Sequence, residues 1–181
     1  STQPGEAKST TAMNLAFIFA TKYKKVLIID CDLRKTMLHK YMKLSNSHGL
    51  TDALIEFGKT RHFNDEYFQT LKDPSFSGLL YVLTAGIHIP NPSELLSSDT
   101  FKEYKKVLKQ NFDFIIIDCA PIGSIPVGNA VDGTIFVVSA KDTKRKDAAQ
   151  CVDLLKRSNV NVIGSVLTKA ESGSGSYYYY Y

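Results

Sequence analysis

The sequence has no apolar run that approaches the roughly 20 residues a helix needs to cross a bilayer, and no secretory leader. Cysteine is scarce: Cys31, Cys119 and Cys151 are odd in number, stand in apolar or helical contexts and lack the spacing of metal ligands. They predict buried free thiols of a reducing compartment. A long basic arm is also missing, which argues against nucleic acid as a partner. These absences predict a cytosolic protein.

The composition is that of one globular domain, since the 181 residues are 44% hydrophobic and 22% charged. The net charge of +4 is spread over several clusters and would suit a polyanionic ligand. The end of the chain differs, because residues 172–176 alternate Ser and Gly like a flexible linker and are followed by consecutive tyrosines. We therefore expect a domain over residues 1–171 and a tail over residues 172–181.

The first ten residues, STQPGEAKST, have the pattern of a phosphate-binding loop that runs into a helix. In such loops backbone N–H groups surround a polyphosphate, a Lys reaches the outer phosphates, and the next hydroxyl ligates Mg²⁺. Lys8 and Ser9 occupy these last two places. Apolar residues at helical spacing follow, namely Ala12, Leu15, Ala16 and Phe19. The residues predicted to bind nucleotide here are Pro4, Gly5, Glu6, Ala7, Lys8, Ser9 and Thr10.

One residue departs from this pattern, since Ala7 stands where glycine normally precedes the Lys. A left-handed conformation at Ala7 would cost about 1 kcal/mol. The alternative interpretation of the segment is a proline–glycine turn that caps a helix. A phosphate loop normally follows a strand, so we also expect a first strand ahead of Ser1.

Apolar runs alternate with helical patterns along the rest of the chain. Strands are predicted at residues 26–30, 79–83, 114–118, 134–138 and 160–167, and the first of them is expected to be a buried parallel strand. Helical stripes cover residues 50–57, 101–108 and 148–155, and Gly58 is predicted to end the first of them. Residues 59–78 show no clear period. The alternation predicts a mostly parallel sheet with helices on both faces and a ligand at the carboxyl ends of its strands.

Two of the predicted strands end in acidic residues. Asp30 and Asp32 follow one strand and Asp118 closes another. A strand-end cap is the alternative for each Asp taken singly. Together with Lys8 and Ser9, however, three carboxylates at one sheet edge predict a Mg²⁺–nucleotide centre, because phosphoryl transfer needs mainly position and charge.

This set of motifs resembles the bacterial tyrosine kinases, the P-loop enzymes that control capsule and exopolysaccharide production. The resemblance rests on the phosphate loop, the motif of residues 30–34, the later motif of residues 118–121, residues 90–96 and the tyrosine-rich tail. It implies a P-loop NTPase fold of the MinD/ParA-like class, with ATP or ADP and Mg²⁺ as cofactors.

The resemblance also implies a role for each matching residue. Lys8 would hold the β- and γ-phosphates, and Asp30 would be the base that polarises the tyrosine hydroxyl. Mg²⁺ would be held by Ser9, by Asp32 and, through water, by Asp118. A phenol with a pKa of about 10 needs such help at neutral pH.

Further expectations concern binding, substrates and partners. Thr168 and Lys169 would lie near the adenine, where the family commonly has Asn-Lys, and Arg34 would contact phosphate or a neighbouring subunit. The phosphoryl acceptors would be Tyr177, Tyr178, Tyr179, Tyr180 and Tyr181. The implied partners are a membrane-anchored activator, other copies of the chain in a ring, and a cognate tyrosine phosphatase. The chain would thus be cytoplasmic and peripheral at the inner face of the cell membrane.

Two alternative functions stay open at this point. A MinD/ParA-like ATPase switch would share the fold without phosphorylating protein, but such ATPases carry a Lys where this chain has Gln3, and they lack a tyrosine tail. A scaffold that holds nucleotide weakly is the other alternative, and Ala7 is its only support.

Overall fold

The computed structural model of the chain describes residues 1–121 and 125–171. The strands are β1 (Lys25–Cys31), β2 (Gln69–Leu71), β3 (Leu79–Leu83), β4 (Phe114–Cys119), β5 (Thr134–Ser139) and β6 (Val162–Thr168). The helices are α1 (Lys8–Ala20), α2 (Leu38–Tyr41), α3 (Leu50–Thr60), α4 (Pro92–Ser97), α5 (Asp99–Asn111), α6 (Ile125–Gly128) and α7 (Arg145–Arg157), with a 3₁₀ turn at Asp65–Tyr67. The predicted linker and tyrosine cluster lie outside the described residues.

Four strands form one sheet in the order β2-β3-β1-β4, and β5 and β6 pair in a second, parallel sheet. Within the first sheet β1 is parallel to both β3 and β4, whereas β2 is antiparallel to β3. The prediction of mostly parallel strands is therefore confirmed. Strand β2 was not predicted, because its three residues are too few to show an alternating pattern.

Strand β1 is buried on both faces, which explains its uninterrupted apolar sequence. Alternate side chains point to opposite faces. Leu27 and Ile29 pack in a core with residues of α3, α4 and α5, whereas Val26 and Ile28 pack in another with α1 and α2. Helices therefore cover both faces of the sheet, as predicted.

Two local predictions about helices need correction. The buried residues of α1 are Ala12, Ala16 and Ala20, so Ala12 and Ala16 of the predicted stripe are confirmed, while Leu15 and Phe19 are only half-buried. Alanines at this spacing allow close approach of the helix backbone to the sheet. Helix α3 does not end at Gly58 but continues to Thr60, because Arg61 adopts the left-handed conformation (φ 57°) that closes it.

The three cysteines are free thiols, with Cys31 and Cys151 buried and Cys119 half-buried, as the sequence predicted. Among the described residues, no helix combines the length and the apolar character that crossing a membrane would require.

Candidate active site

The phosphate loop turns sharply because Gly5 (φ 86°) and Ala7 (φ 63°) both lie in the left-handed region. Left-handed residues between right-handed ones direct successive N–H groups into one concavity, which suits an anion. Helix α1 begins at Lys8, and the Thr11 N–H donates to the Ala7 carbonyl at 2.9 Å. The N–H groups of Lys8, Ser9 and Thr10 thus have no partner within the helix and are placed for phosphate oxygens.

The strain at Ala7 can be relieved by substitution. We expect Ala7→Gly to raise the free energy of unfolding by up to about 1 kcal/mol, because glycine adopts positive φ without a Cβ clash. Affinity for Mg-ATP should change little, since glycine can keep the same left-handed conformation and so leave the directions of the loop N–H groups unchanged. Urea unfolding and calorimetry measure the two effects. Ala149→Gly, on the exposed side of α7, is the control and should lose about 1 kcal/mol. If Ala7→Gly lowers the free energy of unfolding by a comparable amount, Ala7 is not strained in the wild-type chain.

The acidic residues meet at the carboxyl ends of β1 and β4, where Asp30 lies opposite Asp118 in the parallel register. Asp30 is fully buried. Its carboxylate accepts the N–H groups of Asp32 at 3.1 Å and of Met37 and Leu38 at 3.2 Å each. Burial, reinforced by the neighbouring Asp118, nevertheless raises the pKa of Asp30 to about 7. This carboxyl can therefore gain or lose a proton near neutral pH.

Asp118 connects the acidic pair to the phosphate loop. It is 3% exposed, and burial raises its pKa to about 6. The Ser9 hydroxyl and the Lys8 ammonium oppose that rise in pKa, whereas the charge of Asp32 adds to it. Lys8, Ser9, Asp32 and Asp118 thus share one electrostatic environment, and the structure brings them together as the sequence predicted.

These residues fit a nucleotide-bound Mg²⁺. Within residues 1–121 and 125–171, no cluster of three or more His, Cys, Asp or Glu side chains could hold a metal ion by itself. Mg²⁺ usually binds through one or two protein ligands, waters and substrate phosphates, so it does not need such a cluster. A hydroxyl and a buried carboxylate beside an open cradle of N–H groups match that requirement.

The end of β6 lies against the same loop. The Thr168 hydroxyl contacts the carbonyls of Glu6 at 2.9 Å and Val138 at 3.1 Å. Lys169 donates to Asp142 at 2.6 Å and, with Lys141, Ala170 and Glu171, lines an open cavity of about 550 Å³. The Thr168 hydroxyl is thus engaged by backbone oxygens.

Arg34, at the end of the motif that contains Asp30 and Asp32, is exposed. Its guanidinium donates to the Ser93 hydroxyl at 3.2 Å, close to the start of α4. This contact joins the acidic turn to the Pro92–Ser97 helix, two of the segments on which the sequence motifs lie.

Sequence reasoning missed the residues that hold the loop in place. The Glu6 carboxylate is fully buried and accepts the hydroxyl proton of Thr143, in the turn after β5. Gln3 donates to the Asp142 carbonyl of the same turn at 2.8 Å. These partners are separated by more than a hundred residues in sequence, so no local pattern could have identified them.

Comparison with known proteins gives consistent matches over this chain. The family model for an AAA domain matches residues 2–163. The tyrosine-protein kinase YwqD of Bacillus subtilis (strain 168) is 36% identical over 182 residues, covering 98% of this chain and 73% of the relative. The tyrosine-protein kinase CpsD of Streptococcus pneumoniae serotype 4 is 31% identical over 182 residues, covering 98% and 77%.

Solved structures agree with these matches. The kinase domain of the Escherichia coli tyrosine kinase ETK superposes with a TM-score of 0.83 at 28% identity, covering all of this chain and 70% of that one. The septum site-determining protein MinD of Pyrococcus horikoshii, solved with Mg-ADP, gives a TM-score of 0.68 at 22% identity, covering 91% and 66%. The MinD likeness concerns the fold alone.

Proposed function

The chain belongs to the family of bacterial tyrosine-protein kinases, and we propose that it transfers the γ-phosphoryl group of Mg-ATP to its own C-terminal tyrosine cluster. Protein-tyrosine kinase activity follows from the family. The observation that carries the assignment of the site is the convergence of Lys8, Ser9 and Asp118 at the open loop. Regulation of capsule or exopolysaccharide synthesis and export is the proposed biological role.

The proposed roles follow from position and charge. Lys8 and the N–H groups at the start of α1 would bind the phosphates, and Ser9, Asp32 and Asp118 would hold Mg²⁺, whose positive charge would offset that of the phosphates when it is bound. Asp30 accepts the tyrosine proton, a role that its pKa of about 7 suits. The Met37 and Leu38 N–H groups both donate to Oδ2 of Asp30, whereas Oδ1 accepts the Asp32 N–H and keeps a second acceptor site that the tyrosine hydroxyl would use.

Three further assignments complete the proposed site. Pro4, Gly5, Glu6, Ala7 and Thr10 contribute through the loop backbone. Thr168 and Lys169 border the nucleotide beside the cavity at the end of β6. Arg34, held by Ser93, faces a neighbouring subunit.

We further propose that the tail of one subunit is phosphorylated by another subunit. Thr168 contacts the loop directly, so the end of β6, which precedes the tail in sequence, lies at the proposed nucleotide site. The linker of residues 172–176 spans about 17 Å when fully extended, which permits reach to the same site or to a neighbour's site. Resemblance to ring-forming kinases favours the neighbour. Several phosphates of about −1.5 to −2 charges each would then repel the acidic site and loosen the ring.

Intact-mass spectrometry after incubation with Mg-ATP tests both parts of this proposal. Each transferred phosphoryl group should raise the mass by a fixed increment, and none should appear when residues 177–181 are all changed to Phe. For transfer between subunits, the tail-intact Lys8→Met protein is mixed with the active all-Phe protein. We expect phosphate on the Lys8→Met chain. An unlabelled Lys8→Met chain, under conditions where the wild-type protein labels itself, would show that transfer stays within one subunit.

The proposed activator is the cytoplasmic tail of a separate membrane protein, and the proposed counteracting enzyme is a cognate tyrosine phosphatase. The chain would then work in the cytoplasm at the inner face of the membrane. We expect weak autophosphorylation of the isolated chain and a severalfold faster rate when membranes carrying the activator are added. Time courses of phosphotyrosine formation measure this. An isolated chain that is already fully active and gains nothing from membranes would contradict the proposal.

A further inference from the structure

Glu6 is a buried carboxylate inside the anion-binding loop, where a negative charge opposes the binding of phosphate. Its side chain is fully buried between the two left-handed residues Gly5 and Ala7. A charge in this position persists only if strong hydrogen bonds compensate for the lost water. The hydrogen-bond partners of the Glu6 carboxylate therefore show which part of the fold stabilises its charge.

The carboxylate has neutral partners on both sides. One oxygen accepts the N–H groups of Thr2 at 2.8 Å and Gln3 at 3.3 Å. The other accepts the Thr2 hydroxyl at 2.5 Å and the Thr143 hydroxyl. Burial by itself would raise the pKa of Glu6, but the hydrogen bonds from Thr143, Thr2 and Gln3 outweigh it and hold the pKa below its usual range. Glu6 is thus an anion at neutral pH.

Thr143 is itself fixed at the end of β5. Its hydroxyl accepts the Ser139 N–H at 2.8 Å, and its own N–H donates to the Ser139 carbonyl at 3.0 Å. The Ser139 hydroxyl donates to Asp142 at 2.8 Å, and Ser139 is 1% exposed. The turn that receives Glu6 is therefore a rigid part of the second sheet.

We propose that the Glu6–Thr143 hydrogen bond is a positioning contact that sets the phosphate loop for nucleotide before nucleotide arrives. The Glu6 carboxylate accepts the N–H groups of Thr2 and Gln3. Its charge is thereby bound by residues that precede it, while the N–H groups of residues 8–10 stay available for phosphate. The Thr168 hydroxyl holds the Glu6 carbonyl, so the loop is attached to both β5 and β6 at one residue. A preorganised loop binds phosphate without first losing its own conformational freedom.

This inference rests on the proposed nucleotide site and deepens it. Glu6 and Thr143 act through the loop backbone, so they are positioning residues. Their loss should weaken binding of Mg-ATP while leaving the rate at saturating ATP largely unchanged, because Lys8, Ser9 and Asp118 remain in place.

Thr143→Val removes the hydroxyl while keeping the shape of the side chain. We expect about tenfold weaker binding of Mg-ATP by calorimetry on the full chain, with a similar rise in KM for ATP and little change in kcat. Thr143→Ser, which keeps the hydroxyl, should restore affinity to near the wild-type value. Glu6→Gln should weaken binding too, and should add little in the Thr143→Val background if the two residues act as one contact.

Thr51→Val is the matched control, since the buried Thr51 hydroxyl donates to the carbonyls of Ala85 at 3.0 Å and Ile87 at 2.9 Å, in another part of the fold. It should lower thermal stability without changing affinity for Mg-ATP. Unchanged affinity in Thr143→Val, or equal losses in Thr143→Val and Thr143→Ser, would overturn the inference. Failure of the wild-type chain to bind Mg-ATP would instead overturn the proposed function, so the two failures are distinguishable.

Discussion

Lys8→Met is expected to abolish phosphotyrosine formation while the fold stays intact. Lys8 opens α1 at the mouth of the loop, and its charge reaches the Asp118 carboxyl. Removing a charged group that stabilises the transition state typically costs about 10²- to 10³-fold in kcat. The helix should persist, because methionine and lysine have similar helix propensities. Circular dichroism should therefore match the wild-type spectrum.

Lys22→Met is the matched control for this prediction. Lys22 is an exposed lysine just beyond the end of α1, and the substitution removes the same charge without touching the loop. Mass spectrometry should find the wild-type extent of phosphorylation in Lys22→Met and none in Lys8→Met. If Lys8→Met labels itself as well as the control does, the assignment of the phosphate loop is wrong.

The sheet and the acidic edge could be predicted from sequence because their causes are local. A buried parallel strand needs a continuous apolar run, and an acid after that run must lie at the carboxyl edge. Residues 26–30 and 114–118 both satisfy this rule, and the register places Asp30 opposite Asp118. The loop was predictable for the same reason, since Lys8 and Ser9 adjoin a helix start.

Features that depend on neighbours could not be predicted from sequence. Gly58 was expected to stop α3, yet the helix continues and Arg61 provides the left-handed end. The place of Asp30 in the sequence did not show that its carboxylate would accept hydrogen bonds from the N–H groups of Met37 and Leu38. The Glu6–Thr143 bond joins residues that only the folded chain brings together.

The buried acidic pair links function to stability. Asp30 and Asp118 have folded-state pKa values of about 7 and about 6, both above the ordinary value for Asp. These two carboxyls therefore bind protons more tightly in the folded chain than in the unfolded chain, so their contribution to stability is greatest at low pH and falls as pH rises from about 4 to about 7. At neutral pH, Asp118 is mostly charged and Asp30 is partly charged, and this buried negative charge costs stability. Such a loss of stability is expected at a cation-binding site, because the carboxylates that destabilise the fold are the groups that bind the cation.

Asp118→Asn should consequently make the nucleotide-free chain more stable and inactive. At about pH 7.5 the expected gain in the free energy of unfolding is roughly 1–3 kcal/mol, because the amide removes a buried charge next to Asp30. The free energy of unfolding of the variant, relative to that of the wild-type chain, should rise between about pH 4 and pH 7. Urea unfolding at several pH values measures both effects, and phosphotyrosine formation should be lost.

Asp113→Asn is the control, because Asp113 precedes the same strand at its opposite, exposed end and accepts the N–H groups of Lys24 and Lys25. It should neither stabilise the chain nor remove activity. Mg²⁺ with ADP should stabilise the wild-type chain more than Asp118→Asn, since the variant lacks the carboxylate that would hold the ion. If Asp118→Asn proves less stable than the wild-type chain at neutral pH, the charge of Asp118 is not a cost to the fold. Its raised pKa would then not reflect burial.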